Sequence, residues 1–367
     1  MTALIGRPRL TLDIGPLFAG RWTGIPVFTR RLAQALLSQG ELDITFAKDL
    51  VRVPENLVRH AFQTGTGRYM RDASCAGDDT QFEAVDPYVP VFYPGDKGRC
   101  SGQIPREAST VHDLTKLFMP DLHDETSVSR HLDHLAAELR TDEAVFCVSQ
   151  ATRAALIEAA PSVTSRVRLI PQYVDWPGSF AMVERNLSTP PVRPYALVIG
   201  TIEPRKNLQL LFDALDHPLV ASSGLLFIVL GKEGFLVEEF LSKLTAAQRE
   251  RVIFSGFVSE FIKYRLIRNA RFLVFPSLCE GFGIPALEAM SLGKPVLASR
   301  SSSLPEVIGD AGVYFDPFSV DEFASALTEI ANPRRIAELA PRAIRRNAEF
   351  TPERMAAPVL KWVKKGG

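Results

Sequence analysis

The stretch Phe275-Pro-Ser-Leu-Cys-Glu-Gly-Phe-Gly-Ile-Pro-Ala-Leu-Glu-Ala-Met290 reads as strand, turn and helix in immediate succession. The apolar run Arg271–Ser277 is strand-like. Gly281 and Gly283 free the backbone for a sharp turn. Pro285 suits a first helical position and Gly293 the residue just past a helix end. Glu280 is therefore expected at the carboxyl end of a strand, and Glu288 about one turn inside the next helix. Ligands of open parallel sheets sit outside strand carboxyl ends, against helix amino termini. Two carboxylates in those places can accept hydrogen bonds from the hydroxyls of one sugar or ribose ligand. Two solvated acids would be the bland alternative, but the strand, glycines and proline around them argue against it.

A second strand, Tyr195–Thr201, leads into Gly200-Thr-Ile-Glu-Pro-Arg-Lys-Asn207. Leu208, Leu211, Phe212 and Leu215 then follow at core helical spacing. Arg205 and Lys206 thus stand at a helix amino terminus, whose partial positive charge adds to their own. That is a suitable place for a diphosphate. Taken alone, the pair could equally be two solvated surface cations.

Outward from these motifs, strand-length apolar runs alternate with helical patterns along the chain. The first half reads as strands at Leu10–Gly15, Asp43–Lys48, Val89–Tyr93, Ser109–Leu114, Glu143–Ser149 and Arg166–Pro171, with amphipathic stretches such as Val27–Ser38 and Ser127–Thr141. The second half adds Leu225–Gly231, Val252–Phe257, Pro295–Ser299 and Val313–Phe315. Such alternation predicts α/β architecture with parallel sheets, here two doubly wound Rossmann-like domains. The three prolines of Ser188–Pro194 mark the boundary between them. Pro352–Lys365 is a further amphipathic helix without a following strand, expected to cross back to the first domain. The expected limits are 1–180, 181–350 and 351–367. Arg52–Arg106, with its Gly/Asp-rich patch at Ala76–Thr80, reads as loops around one or two helices.

The 367 residues are 46% hydrophobic and 23% charged, enough for two buried cores, and the formal net charge is zero. That balance supplies no long-range attraction to nucleic acid. Cys75, Cys100, Cys147 and Cys279 have neither close pairing nor metal-type spacing, which favours a reducing compartment. Cys147 and Cys279 lie in apolar runs and are expected to be buried thiols. No signal peptide or bilayer-spanning run is expected, so the reading is cytoplasmic, with peripheral contact at the inner face of the plasma membrane left open. Oligomeric state is likewise left open.

Gly200-Thr-Ile-Glu-Pro-Arg-Lys-Asn207 together with Glu280-Gly-Phe-Gly-Ile-Pro-Ala-Leu-Glu-Ala289 closely resembles the retaining glycosyltransferases of family 4, which have the GT-B fold. The resemblance extends through Gly293-Lys-Pro-Val-Leu-Ala-Ser299 and Leu304-Pro-Glu-Val307. In the first domain it covers islands at Thr110-Val-His-Asp-Leu114, Cys147-Val-Ser-Gln-Ala-Thr-Arg153 and Leu169-Ile-Pro-Gln-Tyr-Val-Asp175.

The resemblance implies two facing domains and a role for each matching residue. Arg205 and Lys206 would hold the donor diphosphate and offset its charge as it leaves. Glu280 would bind the donor sugar, with the backbone N–H groups of Phe282, Gly283 and Ile284. Glu288 would take the ribose hydroxyls. The nucleobase would lie near Gly256-Phe257-Val258. His112 would face the donor sugar, assisting rather than acting as a base. Gly24, in the loop Gly15–Phe28, would approach the diphosphate. Pro26 and Gln172-Tyr173 depart from the family pattern, which weakens the carry-over at those two elements.

The resemblance further implies a nucleotide-diphosphate sugar as donor, GDP-mannose favoured over a UDP-hexose. The acceptor would be a growing bacterial polysaccharide, such as an O-antigen, or a lipid-linked oligosaccharide. No cofactor or metal is expected. The chain has no Asp-any-Asp motif, and His123, His131 and His134, beside Asp124 and Asp133, read better as a polar helix face than as ligands. A dehydrogenase would need a Gly-x-Gly-x-x-Gly turn, which is lacking. A sugar-nucleotide epimerase and a non-catalytic sugar-nucleotide-binding module remain the rival readings.

Overall fold

The computed structural model describes residues 6–68, 70, 83–187, 193–232, 234, 242 and 244–365. The Ala76–Thr80 patch and most of the Ser188–Pro194 boundary segment lie outside the described residues. The chain divides into two compact units. One comprises Met1–Leu114, Thr126–Tyr173 and Phe350–Gly367; the other comprises Thr115–Glu125 and Val174–Glu349. The division at Tyr173 falls ahead of the expected boundary at residue 180.

The first unit holds a seven-stranded sheet of β1 (Arg9–Asp13), β2 (Asp43–Lys48), β3 (Val51–Arg52), β4 (Val91–Tyr93), β5 (Glu107–Val111), β6 (Ala144–Cys147) and β7 (Val167–Leu169). Their order is β3-β2-β1-β4-β5-β6-β7. All pairings are parallel except β2 with β3, which turns back through Asp49 and Leu50, both at positive φ. The second unit holds β8 (Tyr195–Ile199), β9 (Leu226–Leu230), β10 (Val252–Gly256), β11 (Leu273–Phe275), β12 (Val296–Ser299) and β13 (Gly312–Phe315). These run in the order β10-β9-β8-β11-β12-β13, all parallel. Strands β4, β6, β11 and β12 are buried along their whole length, as strands covered by helices on both faces must be. Continuous apolar runs are the sequence form of that burial.

The order reverses between β1 and β4 in one sheet and between β8 and β11 in the other. Such reversals open the crevice in which doubly wound sheets bind ligands. In the second unit they set the Glu203–Asn207 loop beside the Pro276–Gly283 loop.

The terminal helix Pro352–Lys364 belongs to the first unit and packs on the helix Ile25–Gln39. Met355, Val359, Leu360 and Val363 are buried, and Trp362 lies 6.2 Å from Phe92 and 6.3 Å from Phe146, centroid to centroid. The Arg106 guanidinium lies over that indole, 5.7 Å from the ring centroid.

The first unit also buries charge. Lys97 Nζ pairs with Glu107 at 2.7 Å and Asp142 at 2.8 Å, and the Lys97 backbone N–H donates to Glu138 at 2.7 Å. Burial pushes the Glu138 carboxyl up to about 8, with Asp96 and Asp142 adding to the effect, and pushes Asp142 up to about 6. The raised Glu138 value means the folded state holds a proton that the unfolded chain releases. Stability is then full below the ordinary carboxyl value and is lost as pH rises towards about 8. Glu138→Gln removes this titration. Its stability relative to wild type should rise by on the order of 2 kcal/mol between mildly acid and mildly alkaline buffer, read from thermal melts across pH.

Candidate active site

Two loops build the site from the carboxyl ends of β8 and β11. After β8, Glu203 is extended and Pro204 opens a single turn of 3-10 helix, Pro204–Lys206. Asn207 then adopts a left-handed conformation (φ 54°) before the helix Leu208–Ala214. The Asn207 Nδ2 amide donates to Pro276 O at 3.2 Å and to Pro317 O at 2.8 Å, binding this loop to those after β11 and β13. Leu278 N donates to Arg205 O at 2.8 Å. The turn is therefore fixed by its neighbours, which an isolated Arg-Lys surface pair would not be. The helix is shorter than the sequence implies, and Arg205 and Lys206 precede it, with Asn207 between them and its first turn. Positive charge here rests mainly on their side chains.

Lys206 Nζ lies 2.5 Å from Glu280 Oε1 and 5.6 Å above the Phe275 ring centroid. Arg205 Nε lies 2.7 Å from Glu203 Oε1, and its Nη1 lies 3.6 Å from Glu280 Oε2. Two cations thus face two carboxylates in a largely buried cluster. Burial alone would raise the Glu280 carboxyl, but the charges of Lys206 and Arg205 outweigh it and hold the group below its ordinary value. Burial, with Arg205 adding, pushes the Lys206 ammonium below the ordinary lysine value, against the pull of Glu280. The loop after β12 frames Glu280: its N–H donates to Ser302 Oγ at 2.8 Å, and Ser303 Oγ donates to its carbonyl at 2.8 Å.

The helix Ile284–Ser291 starts at Gly283, with Pro285 in its first turn. Of the turn's two glycines only Gly283 has positive φ (97°). A Cβ there would fall 2.9 Å from Leu304 Cδ2 and 3.4 Å from the Phe275 ring. Gly283→Ala should therefore lower stability by about 1–3 kcal/mol and disturb the amino terminus of this helix. A lowered melting temperature is the expected result; an unchanged one would show that the turn tolerates a side chain. Phe282 and Gly283 are buried, and Ile284 is half-buried.

Glu288 sits one turn further in, 2% exposed. Lys263 Nζ, from the helix Glu260–Asn269, lies 2.7 Å from its Oε1 and 5.3 Å over the Trp176 ring. Trp176 Nε1 donates to Ser291 Oγ at 2.8 Å, and Ser291 Oγ donates to Glu288 O at 2.7 Å. Neither Lys263 nor Trp176 belongs to the sequence motifs. The serine run Ser301–Ser303 was visible in sequence, but nothing there tied it to Glu280.

The remaining expected site residues are Val258, Gly24 and His112. Val258 follows β10, two strands from β8 in the sheet order, and is half-buried. Gly24 and His112 belong to the first unit. Gly24 has positive φ (49°), precedes the helix Ile25–Gln39, and would meet nothing within 4 Å if it carried a Cβ. His112 follows β5. Its Nε2 lies 2.7 Å from Pro94 O, and its ring meets Phe28 edge to face at 4.7 Å. A carbonyl only accepts, so Nε2 carries the proton and the neutral ring presents Nδ1 as an acceptor. Burial holds its pKa below the ordinary histidine value. Cys147 is buried, but Cys279 is only half-buried, because the strand stops at Phe275 and Cys279 lies in the loop beyond. Among the described residues no group of three His, Cys, Asp or Glu side chains gathers as a metal-ligand set, and no helix is long and apolar enough to cross a membrane.

Residues 184–349 match the family model "Glycosyl transferases group 1". Among curated proteins, the chain is 30% identical over 253 residues to O-antigen chain mannosyltransferase B of Escherichia coli, covering 67% of this chain and 66% of that one. It is 30% identical over 293 residues to the serotype-specific mannosyltransferase WbdA of Escherichia coli, covering 72% of this chain and 35% of that one. The chain thus spans just under two thirds of one relative and about a third of the other. Among solved structures, sucrose-phosphate synthase from Thermosynechococcus elongatus matches with a TM-score of 0.68 at 20% identity, over 98% of this chain and 99% of that one. The fold is accordingly GT-B.

Proposed function

The chain carries a group 1 glycosyl transferase domain over residues 184–349, and on that premise we propose that it is a retaining hexosyltransferase using a nucleotide-diphosphate sugar. The observation that carries this reading is the Arg205–Lys206–Glu280 cluster at the β8/β11 reversal. Lys206 has three donors and Glu280 engages one, so a phosphate oxygen can be added to the same ammonium. Arg205 presents a planar fork suited to phosphate. Glu280 accepts from sugar hydroxyls, with the helix start at Phe282–Ile284 beside it. Glu288 accepts from ribose hydroxyls, Val258 lies towards the base, and Gly24 offers a close backbone approach to the diphosphate.

The transfer breaks the bond between the anomeric carbon and the leaving phosphate oxygen and forms a bond to the acceptor oxygen on the same face. A phosphate oxygen receives the acceptor's proton, so no protein base is required. His112 contributes a hydrogen-bond acceptor at Nδ1. Arg205 and Lys206 stabilise the charge that grows on the departing diphosphate, as preorganised cations in a water-poor site can. With that task met by side chains, transfer in EDTA should stay within about twofold of the untreated rate. A strict divalent requirement would contradict this.

GDP-mannose is the favoured donor and a UDP-hexose the alternative, because the similar curated proteins are named as mannosyltransferases. The acceptor would be a bacterial glycan of the O-antigen type or a lipid-linked oligosaccharide on the cytoplasmic side of the membrane. A thermal-shift screen of nucleotide sugars tests the donor, since a ligand of the native state raises its melting temperature. Incubation with that donor and a mannan or lipid-linked acceptor should then release nucleoside diphosphate and give a product of unchanged anomeric configuration by NMR. Isomerised donor without nucleotide release would favour an epimerase. Binding without turnover on every acceptor would favour a non-catalytic module.

A further inference from the structure

Lys263 is a charged residue in the second unit that the functional reading leaves without a task. It reaches from the helix Glu260–Asn269, which begins just after the Gly256–Val258 loop, to a glutamate on a different helix, Ile284–Ser291. Its ammonium lies 2.7 Å from Glu288 Oε1, and the Glu288 side chain is only 3% exposed. A carboxylate so buried costs a great deal unless a cation and hydrogen bonds compensate it. The ammonium is itself steadied by the Trp176 face at 5.3 Å, a cation–π arrangement. Trp176 in turn donates to Ser291, which donates to the Glu288 carbonyl. Glu288 is thereby gripped at its side chain by Lys263 and at its backbone by the Trp176–Ser291 relay.

We propose that Lys263 is a positioning residue for nucleoside recognition: it holds the Glu288 carboxylate in place and aimed at the vicinal ribose diol of a nucleoside diphosphate. The proposal rests on the reading of Glu288 as the ribose acceptor and adds the group that makes it competent. An oxygen that accepts from one ammonium can still accept a hydroxyl proton. Hydrogen bonds to a charged, fixed acceptor are stronger than those to a neutral one. Removing the ammonium leaves a buried carboxylate without its counter-cation, which favours a displaced Glu288, and displacement weakens acceptance from both hydroxyls.

The test compares GDP with 2′,3′-dideoxy-GDP, and UDP with 2′,3′-dideoxy-UDP, by calorimetric titration of wild type, Lys263→Met, Lys263→Arg and Glu288→Gln. Wild type should prefer the ribonucleotide by about tenfold or more. Lys263→Met should lose most of that preference, as Glu288→Gln does. The double variant should lose no more than either single one, because the two residues act as a unit. Lys263→Arg, which keeps the charge, should retain it. A Lys263→Met protein that melts lower yet keeps the full preference would make Lys263 a strut only, overturning the proposal while leaving the Glu288 reading intact. A wild type that binds both sugars of a pair equally, or binds neither nucleotide, overturns that reading and the proposal together. Should Lys263→Met not fold, Lys263→Gln takes its place, and a retained preference there is equally fatal.

Discussion

Lys206→Ala is expected to reduce turnover about a thousandfold while the protein remains folded, because it removes the cation best placed to meet the leaving diphosphate. The fold should survive for a structural reason. Asn207 and the Leu278–Arg205 backbone bond hold the turn without the lysine side chain, and Arg205 still stands 3.6 Å from Glu280. Lys206→Arg should recover part of the rate, since it restores charge with a different geometry. The alkaline limb of the rate profile carries an independent signature. Burial and Arg205 push the Lys206 ammonium below the ordinary lysine value, so wild-type activity should fall at a lower pH than a free lysine would dictate. In Lys206→Arg that limb should move up. Steady-state release of nucleoside diphosphate across pH, with circular dichroism melts in parallel, checks all three statements. Near-normal turnover in the folded alanine variant would remove Lys206 from the chemistry.

Glu280→Gln is expected to cost about a hundredfold in kcat/KM, through loss of a charged acceptor for the donor sugar. It also alters stability in a direction the pKa shift dictates. The folded carboxyl lies below its ordinary value, so its contribution is present above that ordinary value and is lost as pH falls through the folded one. The glutamine variant should therefore be less stable than wild type at neutral pH by roughly 1–3 kcal/mol, and the gap should close in acid. Lys206, deprived of its nearest counter-charge, should lose its proton at still lower pH. The alkaline limb of whatever activity remains would then shift down, opposite to its movement in Lys206→Arg. Equal stability of the two proteins at all pH values would mean the ion pair contributes nothing net. A kcat/KM close to wild type would place the sugar elsewhere.

The buried parallel strands were legible because burial on both faces leaves an unbroken apolar run, as in Leu273–Phe275 and Val296–Ser299. The two-residue strand Val51–Arg52 was not, since it is too short to carry a period and exists only by pairing back on β2. At the site, the positive φ of Gly283 and the place of Pro285 follow from local backbone chemistry and could be read directly. That Asn207 takes a left-handed conformation between Arg205–Lys206 and the following helix could not be read from the sequence. Its reason is tertiary: the Asn207 amide reaches two carbonyls on other loops. Lys263 and Trp176 stayed invisible for the same kind of reason. Neither lies in a motif, and only folding brings them to Glu288 from distant parts of the chain.

A crystal structure with GDP bound, and a second with UDP, would test the account at its centre. The β-phosphate oxygens should lie within hydrogen-bond distance of Lys206 Nζ and the Arg205 guanidinium, with the ribose hydroxyls on Glu288. A nucleotide bound elsewhere, with the Lys206–Glu280 pair undisturbed, would contradict it.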